Sequence, residues 1–387
     1  MSEWEERTFS DVVQINNYPS LEKGVEQTHV GMNQIEENVR QIQGTLQKEY
    51  SYSKPRFQNG DTLFARITPC LENGKTAFVD ILTEDEAATG STEFLVLSAT
   101  EETLPKFVYY TVRRPDIRQF AIKRMTGSSG RQRVPTDVFD NITIKLPPIE
   151  EQERIVDILD SPDSKIELNR DSNETLEKLA HIYTWEHINE DFQSSDDPLK
   201  LKDIAEIEEE RIKPKDYPDK NFHLYNFSSY DSKKHPELKY GSNIDSQKYA
   251  VSSNHVLVSK LNPDTKRIWR PGNAESDAVC STEFVVLNPK EPATAGFVYE
   301  VAKSDNFYQY LRARTTGTSS SHQRVKKDDI LDFEIGTISD QDVKSVGQFI
   351  EPLHQRNHQQ RAENQCLEEI RDTLLPKLMS GEVRLPG

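Results

Sequence analysis

The fold of this chain is decided by a stretch that occurs twice, STEFLVL at residues 91–97 and STEFVVL at residues 281–287, which lie 190 residues apart. Further matches follow in the same order at nearly the same spacing. They pair FSDV at 9–12 with LKDI at 201–204, FVY at 107–109 with 297–299, TGSS at 126–129 with TGTS at 316–319, QRV at 132–134 with 323–325, and LEKL at 176–179 with LEEI at 367–370. An ordered repeat of this length indicates two homologous modules, each a globular part followed by a helix.

The residues around each copy of the motif predict a mixed α+β module. Short β-branched and aromatic segments predict strands, and segments with proline near their starts predict helices. The strands are expected at 61–67, 76–79, 93–97, 255–258 and 283–287, and the helices at 105–114, 115–125 and 295–314. We therefore expect two α+β modules, at 1–148 and 193–338, with helical regions after them at 149–192 and 339–387.

Each helical region carries a heptad seam, in which apolar and asparagine residues recur at alternating steps of three and four. The first helix is predicted to start at Ser161, as the cap, and Pro162, at the first position. Two antiparallel helices of about 25–28 residues (~40 Å) related by a pseudo-twofold axis are expected, with asparagine fixing register and partner. Two independently packed amphipathic helices are the alternative. The seam residues are Ile166, Asn169, Asn173, Leu176 and Tyr183, then Leu353, Asn357, Asn364, Leu367 and Leu374.

Charge is distributed unevenly along the 387 residues, whose net charge is −17. Residues 106–133 contain eight basic residues and one acidic residue, whereas residues 150–191 contain thirteen acidic residues and four basic ones. Because charges are screened beyond about 8 Å at physiological salt, a locally basic face on an acidic protein can still bind phosphate. An ordinary solvated face is the alternative for the basic segment.

The sequence predicts no catalytic centre and no metal site. The GKT at residues 74–76 lacks the glycine that a phosphate-binding loop needs five residues earlier, where Pro69 stands. Cys70, Cys280 and Cys366 are far apart, so neither a zinc site nor a disulfide framework is indicated. No stretch approaches the ~20 apolar residues of a membrane span, and the start of the chain lacks an apolar leader. A cytoplasmic protein is expected.

Several segments resemble the specificity subunits of type I restriction–modification systems. The second module departs from the pattern, because IGT at 335–337 stands where the first has LPP, and LENGK is lost near 262–264. The matching segments are LPPIEEQERI at 146–155 and KIELN at 165–169, which resemble the central conserved region of that family, LLPKLMSGEV at 374–383, which resembles its C-terminal conserved region, and GDTLFARI at 60–67, LENGK at 71–75 and STEF at 91–94.

The resemblance implies a DNA sequence-specificity subunit that has no catalytic activity of its own. Each module would be a target recognition domain that reads one half of a bipartite double-stranded DNA site. The helices would dock two methyltransferase subunits, and restriction (translocase) subunits would complete the complex, which methylates adenine or cleaves unmodified DNA. S-adenosylmethionine, ATP and Mg would be bound by those partners, so this chain would hold no cofactor.

A DNA reader needs cations that contact phosphates and side chains that reach base edges. The glycine-containing loops at 127–133 and 317–324 are the first candidates, because glycine permits close backbone approach. Gln132 and Gln323 are shared by both modules, so a phosphate or structural role is favoured for them. The DNA-binding candidates are Arg66, Lys75, Arg113, Arg114, Arg118, Lys123, Arg124, Arg131, Gln132 and Arg133, then Lys260, Lys266, Arg267, Arg270, Arg312, Arg314, His322, Gln323, Arg324, Lys326 and Lys327.

Two other classes of protein remain as alternatives. A stand-alone nuclease predicts metal-dependent cleavage of DNA by the purified chain. A non-catalytic two-module scaffold for protein interactions predicts no salt-dependent binding to duplex DNA.

Overall fold

The chain folds as two compact units in a computed structural model that describes residues 4–50, 54–128, 130–188, 198–272, 274, 276–315 and 323–385. The first unit comprises Met1–Leu168 and Glu363–Gly387, and the second comprises Asn169–Ala362. The second unit is therefore one continuous stretch, whereas the first is built from two segments.

Among its described residues, the first unit contains ten strands, the N-terminal part of one long helix and the C-terminal part of another. Its helices are α1 (Phe9–Val12), α2 (Pro105–Arg113), α3 (Pro115–Lys123) and the beginning of α4 (Ile149–Glu186), with 3₁₀ turns at Met32–Gln34 and Thr136–Asn141. Its strands are β1 (Glu5–Thr8), β2 (Val13–Ile15), β3 (Glu26–Val30), β4 (Leu46–Glu49), β5 (Arg56–Gln58), β6 (Thr62–Ala65), β7 (Thr76–Phe78), β8 (Ala87–Gly90), β9 (Phe94–Ala99) and β10 (Thr143–Leu146).

The second unit repeats this order of elements. Its helices are α5 (Leu201–Ile204), α6 (Phe227–Lys233), α7 (Ala295–Lys303), α8 (Asp305–Ala313), α9 (Lys327–Leu331) and most of α10 (Asp340–Met379), with 3₁₀ turns at Pro214–Asp216, Gly241–Asn243 and Pro292–Thr294. Its strands are β11 (Leu199–Lys200), β12 (Ala205–Glu208), β13 (Arg211–Ile212), β14 (Asn221–Tyr225), β15 (Glu237–Tyr240), β16 (Lys248–Ala250), β17 (Val256–Ser259), β18 (Ile268–Trp269), β19 (Ala278–Cys280), β20 (Phe284–Pro289) and β21 (Glu334–Gly336).

The sheets of the two units share one strand order, except that the second unit has an additional edge strand, β13. The first unit has sheets ordered β2-β9-β6-β7 and β4-β3-β8-β5, and the second has β12-β20-β17-β18 and β13-β16-β19-β14-β15. In each unit one pair is parallel, β3 with β8 and β14 with β19, and a separate antiparallel pair, β1–β10 or β11–β21, precedes a long helix. The predicted α+β class and the two homologous modules are therefore confirmed.

The phenylalanine of the repeated STEF motif lies in the core of each unit, where it begins β9 in the first unit and β20 in the second. Phe94 and Phe284 are fully buried, and the strands they begin are central in their sheets. In the first unit, Phe9 and Phe139 stack with their ring centroids 5.0 Å apart and pack beside the buried face of α4. This rigid interior fixes the segments that leave each sheet.

The long helices differ from the prediction in where they begin and in length. α4 begins at Ile149, directly after Pro147 and Pro148, and spans 38 residues, while α10 spans 40. The predicted start at Ser161 is wrong because Pro162 lies inside α4. A proline in a helix removes one backbone hydrogen bond, but the preceding turns of α4 are held by buried Ile155 and Leu159, which belong to the core.

The two long helices pair in antiparallel fashion within each unit. In the first unit, Asn364 donates to the Ile166 carbonyl, at 3.4 Å. In the second, Asn357 donates to the Asn173 carbonyl, at 3.3 Å, and Gln360 donates to the side chain of Asn169. Residue numbers rise along α4 as they fall along α10, so the alternative of independently packed helices is wrong. The pseudo-twofold axis stays a prediction.

Candidate nucleic-acid interface

A loop in the first unit leaves the core directly after α3 and is closed at its base by the backbone. Thr126 and Arg133 exchange two backbone hydrogen bonds, at 2.9 and 2.8 Å. Thr68 donates to the Gln132 carbonyl, at 3.0 Å, and Val134 donates to the Arg66 carbonyl, at 2.8 Å. The described residues of the tip, Gly127, Ser128, Gly130 and Arg131, are exposed, so they are presented to solvent from a fixed base.

Arg133 is held by the glutamate of the repeated motif. Its guanidinium donates three hydrogen bonds to the Glu93 carboxylate, at 2.7–3.1 Å, and this contact raises the pKa of Arg133. A bidentate pair of this kind is geometrically specific. The pair therefore braces the loop against the start of β9.

The second unit contains the same brace. Asn262 donates to the Gln323 carbonyl, at 2.9 Å, Val325 donates to the Lys260 carbonyl, at 2.9 Å, and Arg324 donates to Glu283, at 3.1 Å. Residues 316–322, which include His322 and most of the predicted loop at 317–324, lie outside the described residues.

These contacts explain why two motifs that are distant in sequence recur together. Glu93 pairs with Arg133, and their counterparts Glu283 and Arg324 pair in the same way. The backbone carbonyls of Gln132 and Gln323 accept hydrogen bonds at the base of the loop, one in each unit. The contacts of Gln132 and Gln323 within the protein therefore favour a structural role for them. A role in binding DNA stays a prediction.

A stacked arginine stands at the end of the helix before each loop. Arg124 lies 3.4 Å above the ring centroid of Phe120, and Arg314 lies 3.6 Å above that of Tyr310. Both are cation–π contacts between residues four apart. The sequence reasoning missed the aromatic partners, although the spacing of 190 residues between Phe120 and Tyr310 could have revealed them.

The other candidates of the first unit differ in how far they are engaged within the protein. Lys123 and Arg131 are exposed, and Arg66 is half-buried. The remaining three have contacts: Lys75 donates to the Met32 carbonyl, at 3.1 Å, Arg114 pairs with Asp116, at 2.6 Å, and Arg118 donates to Asn38, at 3.1 Å. The basic segment at 106–133 is therefore not one free cationic surface.

Most candidates of the second unit also have carboxylate or carbonyl partners. Lys326 is exposed. The paired cations are Lys260 with the Thr282 carbonyl at 2.6 Å, Lys266 with Asp305, Arg267 with Asp231 at 2.7 Å, Arg312 with Asp264 at 3.2 Å, and Lys327 with Glu209.

Two residues predicted to contact DNA are buried, and their role in DNA binding stays a prediction. Arg113 is 8% exposed, donates to the Tyr109 hydroxyl at 2.8 Å and lies 3.7 Å from Asp163. Arg270 is 4% exposed and pairs with Glu351, at 2.7 Å. Each guanidinium is thus enclosed and paired with a carboxylate of its own unit, which disfavours a direct contact with DNA.

The seam residues predicted to bind partner proteins differ in burial, and their contacts with a partner stay a prediction. Five of them are buried between the paired helices of this chain, where asparagine side chains and backbone carbonyls bond across the seam. The buried five are Ile166, Asn169, Asn173, Asn357 and Asn364, and the half-buried five are Leu176, Tyr183, Leu353, Leu367 and Leu374. Among the latter, Tyr183 stacks on Phe349, with ring centroids 3.9 Å apart.

Within the described residues, no group of three or more His, Cys, Asp or Glu side chains is arranged to hold a metal ion. In the same part of the chain, no helix combines the length and the apolar character that crossing a membrane requires.

The two-module fold with long paired helices is similar to that of a solved S subunit. The crystal structure of the type-I restriction-modification system S subunit from M. genitalium matches it with a TM-score of 0.60 and 14% identity, covering 97% of this chain and 96% of that one. At this identity the likeness shows the fold alone. Residues 1–178 match the family model of the type I restriction modification DNA specificity domain. The predicted resemblance is confirmed.

Curated relatives with sequence similarity are specificity subunits as well. The type I restriction enzyme EcoAI specificity subunit of Escherichia coli is 36% identical over 110 residues, which are 28% of this chain and 18% of that protein. The HindI specificity subunit of Haemophilus influenzae is 27% identical over 194 residues, 46% of this chain and 39% of that protein. The matches therefore span well under half the length of these relatives.

Proposed function

We propose that this chain is the DNA specificity subunit of a type I restriction–modification complex and that its two modules read the two halves of a bipartite double-stranded site. The observation that carries the proposal is the repeated loop base with unlike loop tips. Both units brace the loop by a Glu–Arg pair and precede it with a stacked arginine. The tips read GSSGR at 127–131 and GTSSSH at 317–322. One scaffold with two different tips suits two readers of different sequences.

The exposed cations near these loops would contact the DNA. Lys123, Arg124 and Arg131 lie at or beside the loop of the first unit, and Arg314 and Lys326 flank that of the second; all five are exposed. Each phosphate neutralised by such a cation steepens the fall of log affinity with log salt by about 0.9. This salt dependence separates the proposal from the protein-interaction scaffold.

Docking of the methyltransferase and restriction subunits is assigned to the outer faces of the long helices. Leu168, Leu179, Ile182 and Ile370 are 62%, 43%, 55% and 51% exposed on α4 and α10. Apolar side chains this exposed on helices whose own seam is already filled favour contact with protein, and the acidic character of α4 disfavours contact with DNA. Adenine methylation or cleavage, S-adenosylmethionine, ATP and Mg would belong to those partners.

The proposal is tested by mapping methylated adenines in the genomes of cells that carry the partner methyltransferase, with and without this gene. We expect a motif of two short elements separated by unread bases, and we expect its methylation to disappear when the gene is deleted. An unchanged methylation map would contradict the proposal.

Replacing Arg131 by alanine is expected to weaken duplex binding by the complex with its methyltransferase about 10- to 100-fold, equivalent to about 1–3 kcal/mol, because a contact at the loop tip is lost. If Arg131 reads a base, the loss is confined to one half of the motif; if it holds a phosphate, the loss is uniform and the salt slope falls. Affinity is measured by fluorescence anisotropy. Lys178→Ala, which removes the same charge from the acidic helix α4, is the control and should bind DNA normally. Equal losses in both variants would show a non-specific charge effect.

A further inference from the structure

The second unit encloses a cavity of about 90 Å³ beside α6, α7 and the paired long helices. Tyr230, Trp269, Tyr299 and Tyr308 supply aromatic walls. The charged lining is five cations, Lys234, Lys266, Arg270, Lys303 and Arg361, and one carboxylate, Glu177. The lining is thus strongly cationic in a protein whose net charge is −17.

Arg270 is the buried centre of this lining and is only partly paired. Its Nη2 donates to both oxygens of Glu351, at 2.9 and 2.7 Å. Its Nε and Nη1 are buried without a hydrogen-bond partner among the described residues. An unsatisfied N–H of a buried charged group is costly, so the site lacks an acceptor.

The first unit contains a comparable buried arginine, Arg40, although it is not the repeat counterpart of Arg270, which lies 190 residues after Asp80. There the buried Arg40 is bound by two carboxylates, with Nε donating to Glu167 at 2.8 Å and Nη1 donating to Asp160. The repeat spacing of 191 residues places Glu351 at the position of Asp160, but it places His358 at the position of Glu167. The second unit therefore keeps one of the two carboxylates and has an imidazole where the other would stand.

The histidines of the cavity do not supply the missing negative charge. Burial, and then the charge of Arg270 and the other nearby cations, lowers the pKa of His354 to about 2 and that of His358 to about 4. Both rings are neutral at pH 7, and a neutral imidazole carries one N–H that can donate. Of the carboxylates close by, Glu177 pairs with Lys303 and Arg361, at 3.3 and 2.6 Å. Glu300 lies 3.3 Å from His354, and both of its buried oxygens have no hydrogen-bond partner among the described residues.

We propose that this cavity binds one small free oxyanion of the class of inorganic phosphate, with oxygens that accept from Nε and Nη1 of Arg270. The volume lies below the roughly 300 Å³ at which pockets for organic ligands begin. Because Arg270 is 4% exposed, a phosphate that carries a sugar on either side cannot reach it, which excludes the DNA backbone as the source. The inference concerns the second unit alone and does not depend on the proposed function.

The test titrates inorganic phosphate into the full chain at constant ionic strength, with chloride as the comparison anion, by calorimetry and by thermal unfolding. Saturable binding and a rise in melting temperature are expected for the wild type, because a ligand that binds only the folded state stabilises it. Arg270→Lys keeps a positive charge opposite Glu351 but removes the guanidinium N–H groups that would bind phosphate. The phosphate affinity of this variant should therefore fall at least 10-fold. The control Arg267→Lys, whose parent side chain pairs with Asp231 outside the cavity, should bind like the wild type.

A second variant keeps the proposal testable if Arg270→Lys fails to fold. His358→Glu restores the carboxylate of the first unit, so it should melt at a higher temperature than the wild type without phosphate and should lose the response to phosphate. The proposal is overturned if phosphate acts no differently from chloride on the wild type, or if either variant keeps the response of the wild type.

Discussion

Replacing Arg371 by alanine is expected to lower the free energy of unfolding of the first unit by about 3–5 kcal/mol. This is the usual cost of removing one partner of a buried ion pair. Arg371 Nη1 lies 2.6 Å from Asp163, and both side chains are 3% exposed. Tyr110 also donates to Asp163, at 2.9 Å, and Arg113 lies 3.7 Å away. Without Arg371, the Asp163 carboxylate remains buried but loses much of the positive charge and hydrogen bonding that offsets its burial. Calorimetric unfolding of the purified chain measures the change.

The matched control is an ion pair of similar geometry on the surface. Lys178 and Glu174 lie 2.6 Å apart on α4 with side chains 69% and 67% exposed, so Lys178→Ala should change the free energy of unfolding by about 0–1 kcal/mol. If Arg371→Ala were no more destabilising than Lys178→Ala, the buried cluster would not stabilise the first unit in the way its geometry indicates.

Lowering the pH below about 6.5, the ordinary pKa of histidine, is expected to destabilise the second unit through His354 and His358. Their pKa values in the folded chain are lowered to about 2 and about 4 by burial and by Arg270 and its cationic neighbours. Below pH 6.5 or so, these two histidines therefore bind protons in the unfolded chain but not in the folded chain. The stabilisation is complete above pH 6.5 and is lost as the pH falls towards the folded values, at up to about 1.4 kcal/mol per pH unit for each histidine.

Chemical denaturation at a series of pH values between 7 and 4.5 measures this slope. The groups facing the two rings include the cations Arg270, Lys303 and Arg361 and the carboxylates Glu177 and Glu300. His358→Gln removes one titrating ring and should reduce the slope by about 1.4 kcal/mol per pH unit. The exposed His235, replaced by Gln in the same way, should leave the slope unchanged. A slope that is the same in all three proteins would show that other groups dominate.

The architecture was predictable because the repeat is a property of the sequence itself. Strands β9 and β20 begin one residue after the predicted starts at 93 and 283, and α2 and α3 begin at the predicted prolines. The start of α4 was not predictable, because Ser161 and Pro162 form a local helix-start signal that long-range packing overrides. The predicted single helix at 295–314 is two helices, α7 and α8, since the Ser304 side chain caps α8 by accepting from the Phe307 amide.

The candidate site was predictable only in part. Local spacing identifies a residue's neighbours along a helix, as with Phe120 and Arg124, but it does not identify partners far away in the chain. Arg270 and Glu351 are 81 residues apart, so a count of charges could not show that this arginine is enclosed. The same applies to Arg40, which no sequence pattern singled out and whose partners, Asp160 and Glu167, lie on α4.

The division of the chain into one continuous and one two-segment unit has a consequence for biosynthesis. The second unit is complete once the ribosome has made residue 362, whereas the first, begun earlier, still lacks Glu363–Gly387, the segment that carries Arg371 and the core residues Leu375 and Leu378. At about 5–20 residues per second, the 194 intervening residues take about 10–40 s to translate. The nascent first module therefore lacks this part of its core for that time, until residues 363–387 have been made.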